Sequence, residues 1–370
     1  MLRSDAEPAQ IETLTALRFF AAAWVVLFHY WPTLDVHVTP NLVAKGYLGV
    51  ELFFVLSGFV ISHVYRAAYE EGRFRYGAFL WARLARIYPL HLATLASVAA
   101  LGLAAAAAGL SVRGNVVDLA SLPANLLMLH AWGLAPEAAF NHPSWSISAE
   151  WFAYLAFPAF AAVAGRFRRP REAVWAALLL LFISYSAFEA LTGRPLTQAT
   201  IHWGALRIVP CFALGCAVHA LWRSGVLMRQ GQAFVGALAS GAGVIVLASL
   251  GAPDAWLTAA FGALIFSLAG LWSTGAVRSA PGLSWLGEIS YSTYMICVPW
   301  KLLFVNGATR LLGLPEERLP LWLWLVGIGA LIPLSALSFH LVERPTRAWM
   351  KAHSPLGGRG AAPATLQPAT

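Results

Sequence analysis

Arg18 and His29 stand eleven residues apart in LTALRFFAAAWVVLFHYW, residues 14 to 31, where nearly every other side chain is apolar. On a helix that spacing is roughly 20° past three full turns, so both share one stripe, about 16 Å apart along the axis. A charge inside a bilayer costs at least ~2.5 kcal/mol, so such groups usually face a polar interior and work there. A neutral imidazole can take a hydroxyl proton near pH 7, and a carboxylate beside it would fix its tautomer and stabilise the imidazolium. Two carboxylates are candidates: Glu51 in GYLGVELFFVLSGFVIS and Glu150 in HPSWSISAEWFAYLAFP. With alternating helix directions, His29, Glu51, Glu150, Arg207 and Lys301 fall near one level in the outer half of the membrane, and Arg18 nearer the inner mouth. An internal salt-bridge network that only ties helices together is the competing reading, and Arg207 and Lys301 could equally snorkel outward.

Arg83 and Arg86 form a second constellation, in FLWARLARIYPLHL at residues 79 to 92. Three residues apart, they point the same way on a helix. Paired guanidiniums suit a phosphate group, although on the motif alone ordinary anchoring at the membrane surface explains them better. Ser57, Ser144, Ser146 and Ser148 lie in no GxSxG elbow, so their hydroxyls are expected to cap or bond backbone. The SGF at 57 to 59 is expected to relax helix packing. No GxxxxGK[ST] loop occurs, which argues against an ATP-driven pump.

The elements that must position these residues are membrane helices. Of 370 residues, 59% are hydrophobic and only 11% charged, against about 25% charged in a soluble domain. Runs long enough to cross about 30 Å of hydrocarbon fall near 14–32, 46–66, 87–109, 146–164, 172–191, 203–222, 232–250, 256–273, 286–306 and 320–341. The expected fold is therefore an all-α polytopic membrane protein of about ten transmembrane helices. Residues 1–13 precede the membrane domain (14–347), and the Gly/Pro/Ala-rich tail 348–370 reads as disordered. The stretch 119–132 is too short and Pro-interrupted to span, so it lies at the interface or re-enters.

Of the 25 Lys and Arg residues, 17 fall in the loops on the side of the two termini. The opposite loops hold five (Lys45, Arg113, Arg194, Arg310 and Arg318), and three lie within spans. That bias makes both termini cytoplasmic. The net charge of +8 is thereby a matter of topology, with no nucleic-acid partner implied. Cys211, Cys216 and Cys297 read as small core residues rather than ligands or disulfides. No metal site is expected. The first apolar stretch carries Arg18 and lacks the layout of a cleavable signal, so it reads as a retained first span. The Ala-, Arg- and Gly-rich composition fits a GC-rich bacterium, and hence the inner (plasma) membrane.

Taken in order, these segments resemble the acyltransferase-3 family of integral membrane acyltransferases. Arg18 and His29 match its Arg/Lys, ten residues, His pattern; Gly49 to Phe59 match G-V-[DE]-x-F-F-V-x-S-G-F. Arg83, Arg86, Ile87 and Pro89 match R-x-x-R-I-x-P, and Trp145, Ser146, Ile147 and Glu150 match W-S-[IL]-x-x-E. Gly287 to Tyr294 match G-x-[IL]-S-Y-x-x-Y, and Glu343 to Pro345 match the closing E-[RK]-P. One departure stands out: many members carry a His near Cys297, and here only Lys301 is close by in sequence.

The resemblance implies transfer of an acyl group, commonly acetyl, from cytoplasmic acyl-CoA to a hydroxyl of a carbohydrate-containing acceptor. Acceptors in the family include exopolysaccharide, O-antigen, peptidoglycan, Nod factors and macrolide sugars. It makes His29 the catalytic base, Arg18 its partner, Arg83 and Arg86 the acyl-CoA contacts, and Glu150 a further active-site member. Glu51 or Glu150 would orient His29, while Arg18, the Trp145 indole or Ser148 would meet the substrate and its oxyanion. The expected partners are acyl-CoA, a glycan or glycolipid acceptor and the bilayer, with the 119–145 segment selecting the acceptor. From another class, a transporter or flippase could use the same polar line as a substrate or proton path.

Overall fold

The first helix, α1 (Glu12–Tyr30), has no Pro or Gly to break it and turns Ala21, Ala22, Val25 and Val26 into the protein. The computed structural model describes residues 10–109, 116–226, 229–275, 277, 280–314 and 318–355. Arg3, Arg278 and Arg359, three of the 17 basic residues counted on the side of the termini, and Arg113 on the opposite side lie outside them, as do residues 1–9 and the tail from 356 onward.

The described chain is all-α. After α1 come α2 (Gly49–Glu70), α3 (Tyr76–Ala107), α4 (Trp145–Leu155), α5 (Phe157–Gly165), α6 (Pro170–Thr192) and α7 (Gly204–Arg223). Then follow α8 (Gln230–Ser249), α9 (Asp254–Ser273), α10 (Pro281–Leu312), α11 (Leu321–Gly329), α12 (Leu331–Ser338) and α13 (Arg344–Ala352). Among the described residues nine helical segments are long and apolar enough to span, and α4 with α5, bent by 55°, passes the same test only when the two are taken together as one broken segment. The bend falls where Pro158 lacks an N–H and its ring would meet the carbonyl one turn back. Each span expected from the sequence has its counterpart. Large apolar side chains left outside, such as Leu179, Ile183, Leu238, Ile245 and Leu325, are each more than half exposed. In a multi-pass membrane protein those faces meet lipid.

Helix contacts are set by small residues at crossings. A Cβ on Gly215 of α7 would lie 2.0 Å from the Val55 carbonyl of α2, and one on Gly58 would lie 2.2 Å from the Phe212 carbonyl. The SGF segment therefore does serve packing, by letting two backbones touch. Gly287 lets α10 approach α1 in the same way, against the Thr15 carbonyl. Pro299 removes an N–H from α10, freeing the Met295 carbonyl four residues back; the Asn141 amide donates to it at 2.8 Å.

Two expected bounds change here, the start of the third span and the end of the membrane domain, while the 119–132 stretch takes the inward of its two alternatives. Helix α3 begins at Tyr76, eleven residues before the apolar run, so Arg83 and Arg86 belong to the third spanning helix itself rather than lying just before it. Their charge lowers the local hydropathy without interrupting the backbone. The 119–132 stretch folds inward, with Asn125, Met128, His130 and Ala131 all buried. The chain stays helical past residue 347, to Ala352.

Candidate active site

A cavity of about 140 Å³ lies among α1, α2, α3, α4 and α10. Each helix contributes polar side chains to it: Arg18, Ser57, Arg83 and Arg86, Glu150 and Tyr154, Tyr291 and Tyr294. Spacing explains some of this recruitment. Glu150 and Tyr154 are four apart on α4, and Tyr291 and Tyr294 three apart on α10, so each pair shares a face.

Within the cavity the Ser57 hydroxyl donates to Glu150 Oε1 at 2.6 Å. Arg83 donates to the Tyr65 hydroxyl at 3.1 Å and lies over that ring. Arg86 forms an ion pair with the buried Glu343 and stacks over Tyr291. The second Glu343 oxygen accepts from Ser292 at 2.9 Å. Glu343 sits in a π-helical turn, Phe339–Glu343, just ahead of Pro345, which explains how the E-R-P motif aims its carboxylate at α3. Arg18 faces the cavity and makes no hydrogen bond or ion pair with any described residue. Ser146 and Tyr294, hydroxyl to hydroxyl at 2.8 Å, line the far wall.

His29 lies elsewhere, about three turns along α1 from Arg18. Its Nδ1 is 2.9 Å from the Val25 carbonyl. A carbonyl only accepts, so Nδ1 carries the proton and the Nε2 lone pair is the one available to a substrate. Lys301 donates to the main-chain carbonyl of His29 at 2.7 Å, bringing an ammonium group to this end of the stripe. The nearby Cys297 thiol is buried and bonds the Tyr294 carbonyl at 3.0 Å. All three cysteines are free and buried.

The single-level polar site expected from the sequence is not what the helices build. Glu51 is wholly buried, and Arg207 grips both its oxygens, at 2.5 and 3.0 Å. It cannot orient His29. Glu150 belongs with Arg18 rather than His29, because its span starts inside the bundle: Asn141, Pro143 and Ser144 ahead of it are buried. The orienting group of His29 is thus a backbone carbonyl, not a carboxylate.

Trp145 is buried, with the Arg207 guanidinium 4.5 Å over its ring. Ser148 donates to the Met128 carbonyl at 2.7 Å and accepts from the Ala131 amide at 3.0 Å. Met128 has φ +54, a left-handed conformation that strains a side-chain-bearing residue. The hydroxyl of Ser148 therefore pins a strained turn. Arg207 does not snorkel, being 2% exposed.

Sequence reasoning overlooked the His91–His130 pair, whose rings stack at 5.7 Å under the inward-folded segment. Nε2 of His130 meets the Ser144 hydroxyl at 3.1 Å, and burial pushes its imidazole down to about 3. The only sequence signal was a histidine inside the apolar LLMLHAW. Among the described residues no group of His, Cys, Asp and Glu could hold a metal ion.

Comparison with known proteins identifies the family. Residues 11–340 match the family described as an acyltransferase domain, and the chain belongs to this acyltransferase-3 family of multi-pass membrane proteins. It is 30% identical over 250 residues to the acyltransferase MdmB of Streptomyces mycarofaciens, covering 60% of each chain. It is 22% identical over 388 residues to the peptidoglycan O-acetyltransferase OatA of Listeria monocytogenes, covering 91% of this chain and 56% of that one. A shorter match, 48% identical over 97 residues, is to protein 2 in the picA locus of Rhizobium radiobacter, covering 26% of this chain and 48% of that one. The chain thus spans about half to three-fifths of the length of these curated relatives. No solved structure matches it.

Proposed function

We propose that the protein is a bacterial inner-membrane O-acyltransferase with both termini in the cytoplasm. It moves an acyl group, acetyl on this reading, from acyl-CoA to a hydroxyl of a carbohydrate-containing acceptor. The carrying observation is the division of labour along α1. Arg18 faces the cavity with no hydrogen-bonded or ion-paired partner among the described residues, Glu150 being a nearby carboxylate, and His29, about 16 Å further along the axis, offers Nε2 as a proton acceptor. The cavity then holds the donor from the cytoplasmic side, with Arg18 and Arg83 toward its phosphates and its thioester arm directed along the stripe. The likeness to a peptidoglycan O-acetyltransferase supports acetyl as the group and a cell-surface polysaccharide or glycolipid as the acceptor.

In the reaction, His29 Nε2 takes the acceptor hydroxyl proton as that oxygen attacks the thioester carbonyl. The tetrahedral oxyanion collapses, the C–S bond breaks, and the thiolate leaves with the proton that His29 returns. General base catalysis of this kind contributes typically about 10²–10⁴ in rate. Lys301, hydrogen-bonded to the His29 carbonyl, is a cation held beside the developing negative charge. Trp145 and Ser148, both engaged by the protein, are left out of this scheme.

The test is release of free CoA from acetyl-CoA by purified protein, with a panel of glycan acceptors and a no-acceptor blank. Wild type releases CoA with at least one acceptor, and His29→Ala loses at least 10²-fold of that rate. An equally active His29→Ala would remove His29 from the chemistry. Folded wild type that neither binds nor consumes acetyl-CoA would return the polar line to a transport role.

A further inference from the structure

A second cavity, of about 200 Å³, lies against α13 and is lined by Phe339, Glu343, Arg344, Arg347, Ala348 and Lys351. Residues 344, 347, 348 and 351 share one helical face, so three basic side chains look into it. The Trp81 indole of α3 donates to the Met350 carbonyl at 2.8 Å, docking α13 beside the turn of α3 that carries Arg83. Arg86 lines the first cavity, its ion-pair partner Glu343 lines the second, and so the two cavities meet at that pair.

The charge inventory of this region does not balance. Arg18, Arg83, Arg86 and Arg347 lie within electrostatic reach of one another. The carboxylates Glu150 and Glu288 act on Arg18, and Glu343 is engaged by Arg86. Glu343 binds Arg86 and Ser292, and Glu150 takes the Ser57 hydroxyl. Arg347 makes no hydrogen bond or ion pair with any described residue, and the Nε of Arg83 is buried with no acceptor. Arg83 and Arg347, which have no carboxylate partner among the described residues, need an anion, and their planar forks fit phosphate oxygens.

We infer that Arg347 and Arg83 together bind the phosphates of a polyphosphate ligand, while Arg86 serves to hold Glu343 and does not contact that ligand. Identification of the ligand as the nucleotide end of acyl-CoA rests on the function proposed above; the anion site itself does not. The site takes a diphosphate rather than a carboxylate, because it presents guanidiniums from two helices, Arg83 in one cavity and Arg347 in the adjoining one. It also moves part of donor binding from the R-x-x-R helix to the last helix of the chain.

The experiment uses the full-length protein in zwitterionic nanodiscs and reads thermal unfolding and binding with sodium pyrophosphate and with CoA. Pyrophosphate raises the melting temperature of wild type and not of Arg347→Gln. Loss of one charge-assisted contact raises the Kd for CoA about 10- to 100-fold. Arg347→Lys, which keeps the charge, recovers part of the binding and guards against a folding artefact, and Arg229→Gln, a remote exposed arginine, behaves as wild type. Wild-type affinities in Arg347→Gln would overturn the inference and leave the acyl-CoA reading standing. Arg347-dependent pyrophosphate binding without CoA binding would uphold the anion site and overturn that reading. Binding of neither by wild type would overturn both. Loss of pyrophosphate and CoA binding in phosphatidylglycerol nanodiscs would reassign the site to a lipid headgroup.

Discussion

Glu51 and Glu150 look interchangeable in the sequence, one acidic residue near the start of each of two apolar segments, and their neighbours make them opposites. Glu51 is gripped on both oxygens by Arg207, which also reaches the Ala199 carbonyl at 3.1 Å and covers Trp145. Removing one member of such a pair strands a buried charge, at a cost of about 3–5 kcal/mol. Glu51→Gln and Arg207→Met should therefore lower the melting temperature and yield of the purified protein. Glu150 faces the cavity with Ser57 as its bonded neighbour. Glu150→Gln keeps that hydrogen bond within reach, so the fold should hold while CoA release falls at least tenfold. Thermal unfolding and CoA release on the same preparations separate the two effects. A Glu51→Gln protein of wild-type stability that had lost its activity would put Glu51 back among the catalytic groups.

At the scale of the helix, the crossing of α2 and α7 is the contact from which the site hangs, since it carries the Glu51–Arg207 pair and sets the height of Ser57. Gly215→Ala would place a methyl group 2.0 Å from the Val55 carbonyl, and a backbone atom cannot rotate away. The helices must separate, with an overpacking cost of about 1–3 kcal/mol. The melting temperature should drop, and CoA release should fall with it as Ser57 shifts from Glu150. By contrast, Gly243→Ala on the lipid-facing α8 meets nothing within 4 Å and should be neutral; equal effects at both positions would show that the crossing has no special role. Helices of this kind are the part of the structure most legible beforehand. Apolar length gave every span, and a period of 3.6 put Arg18 with His29 and Arg83 with Arg86 on shared faces. Spacing along one helix carries no information about depth relative to another. That is why Glu150 was misplaced beside His29, and why Trp145 and Ser148 read as exposed to substrate. Nor could spacing show that Glu343, some 250 residues on, would claim Arg86.

For the molecule as a whole, the segment 119–141 acts as an inward-folded cap that buries His130 against His91 of α3. His130 is 1% exposed, stacked on His91, and bonded at Nε2 to Ser144. Burial lowers its imidazole from 6.5 to about 3. In the unfolded chain the same group takes its proton near pH 6.5, so below that pH the unfolded state binds more protons than the folded one. Stability is therefore complete above pH 6.5 and is lost as the pH falls toward 3, by about 2 kcal/mol between pH 6.5 and 5 from this group. The melting temperature of wild type should fall across that interval, and that of His130→Gln should fall less from a lower start at pH 7.5, because Gln cannot be protonated. Because the cap is tied through Ser148 to α4, and α4 carries Glu150, its acid release should also lower CoA release in wild type before global unfolding. Identical pH slopes for wild type and His130→Gln would show that the cap does not sense acid through this residue.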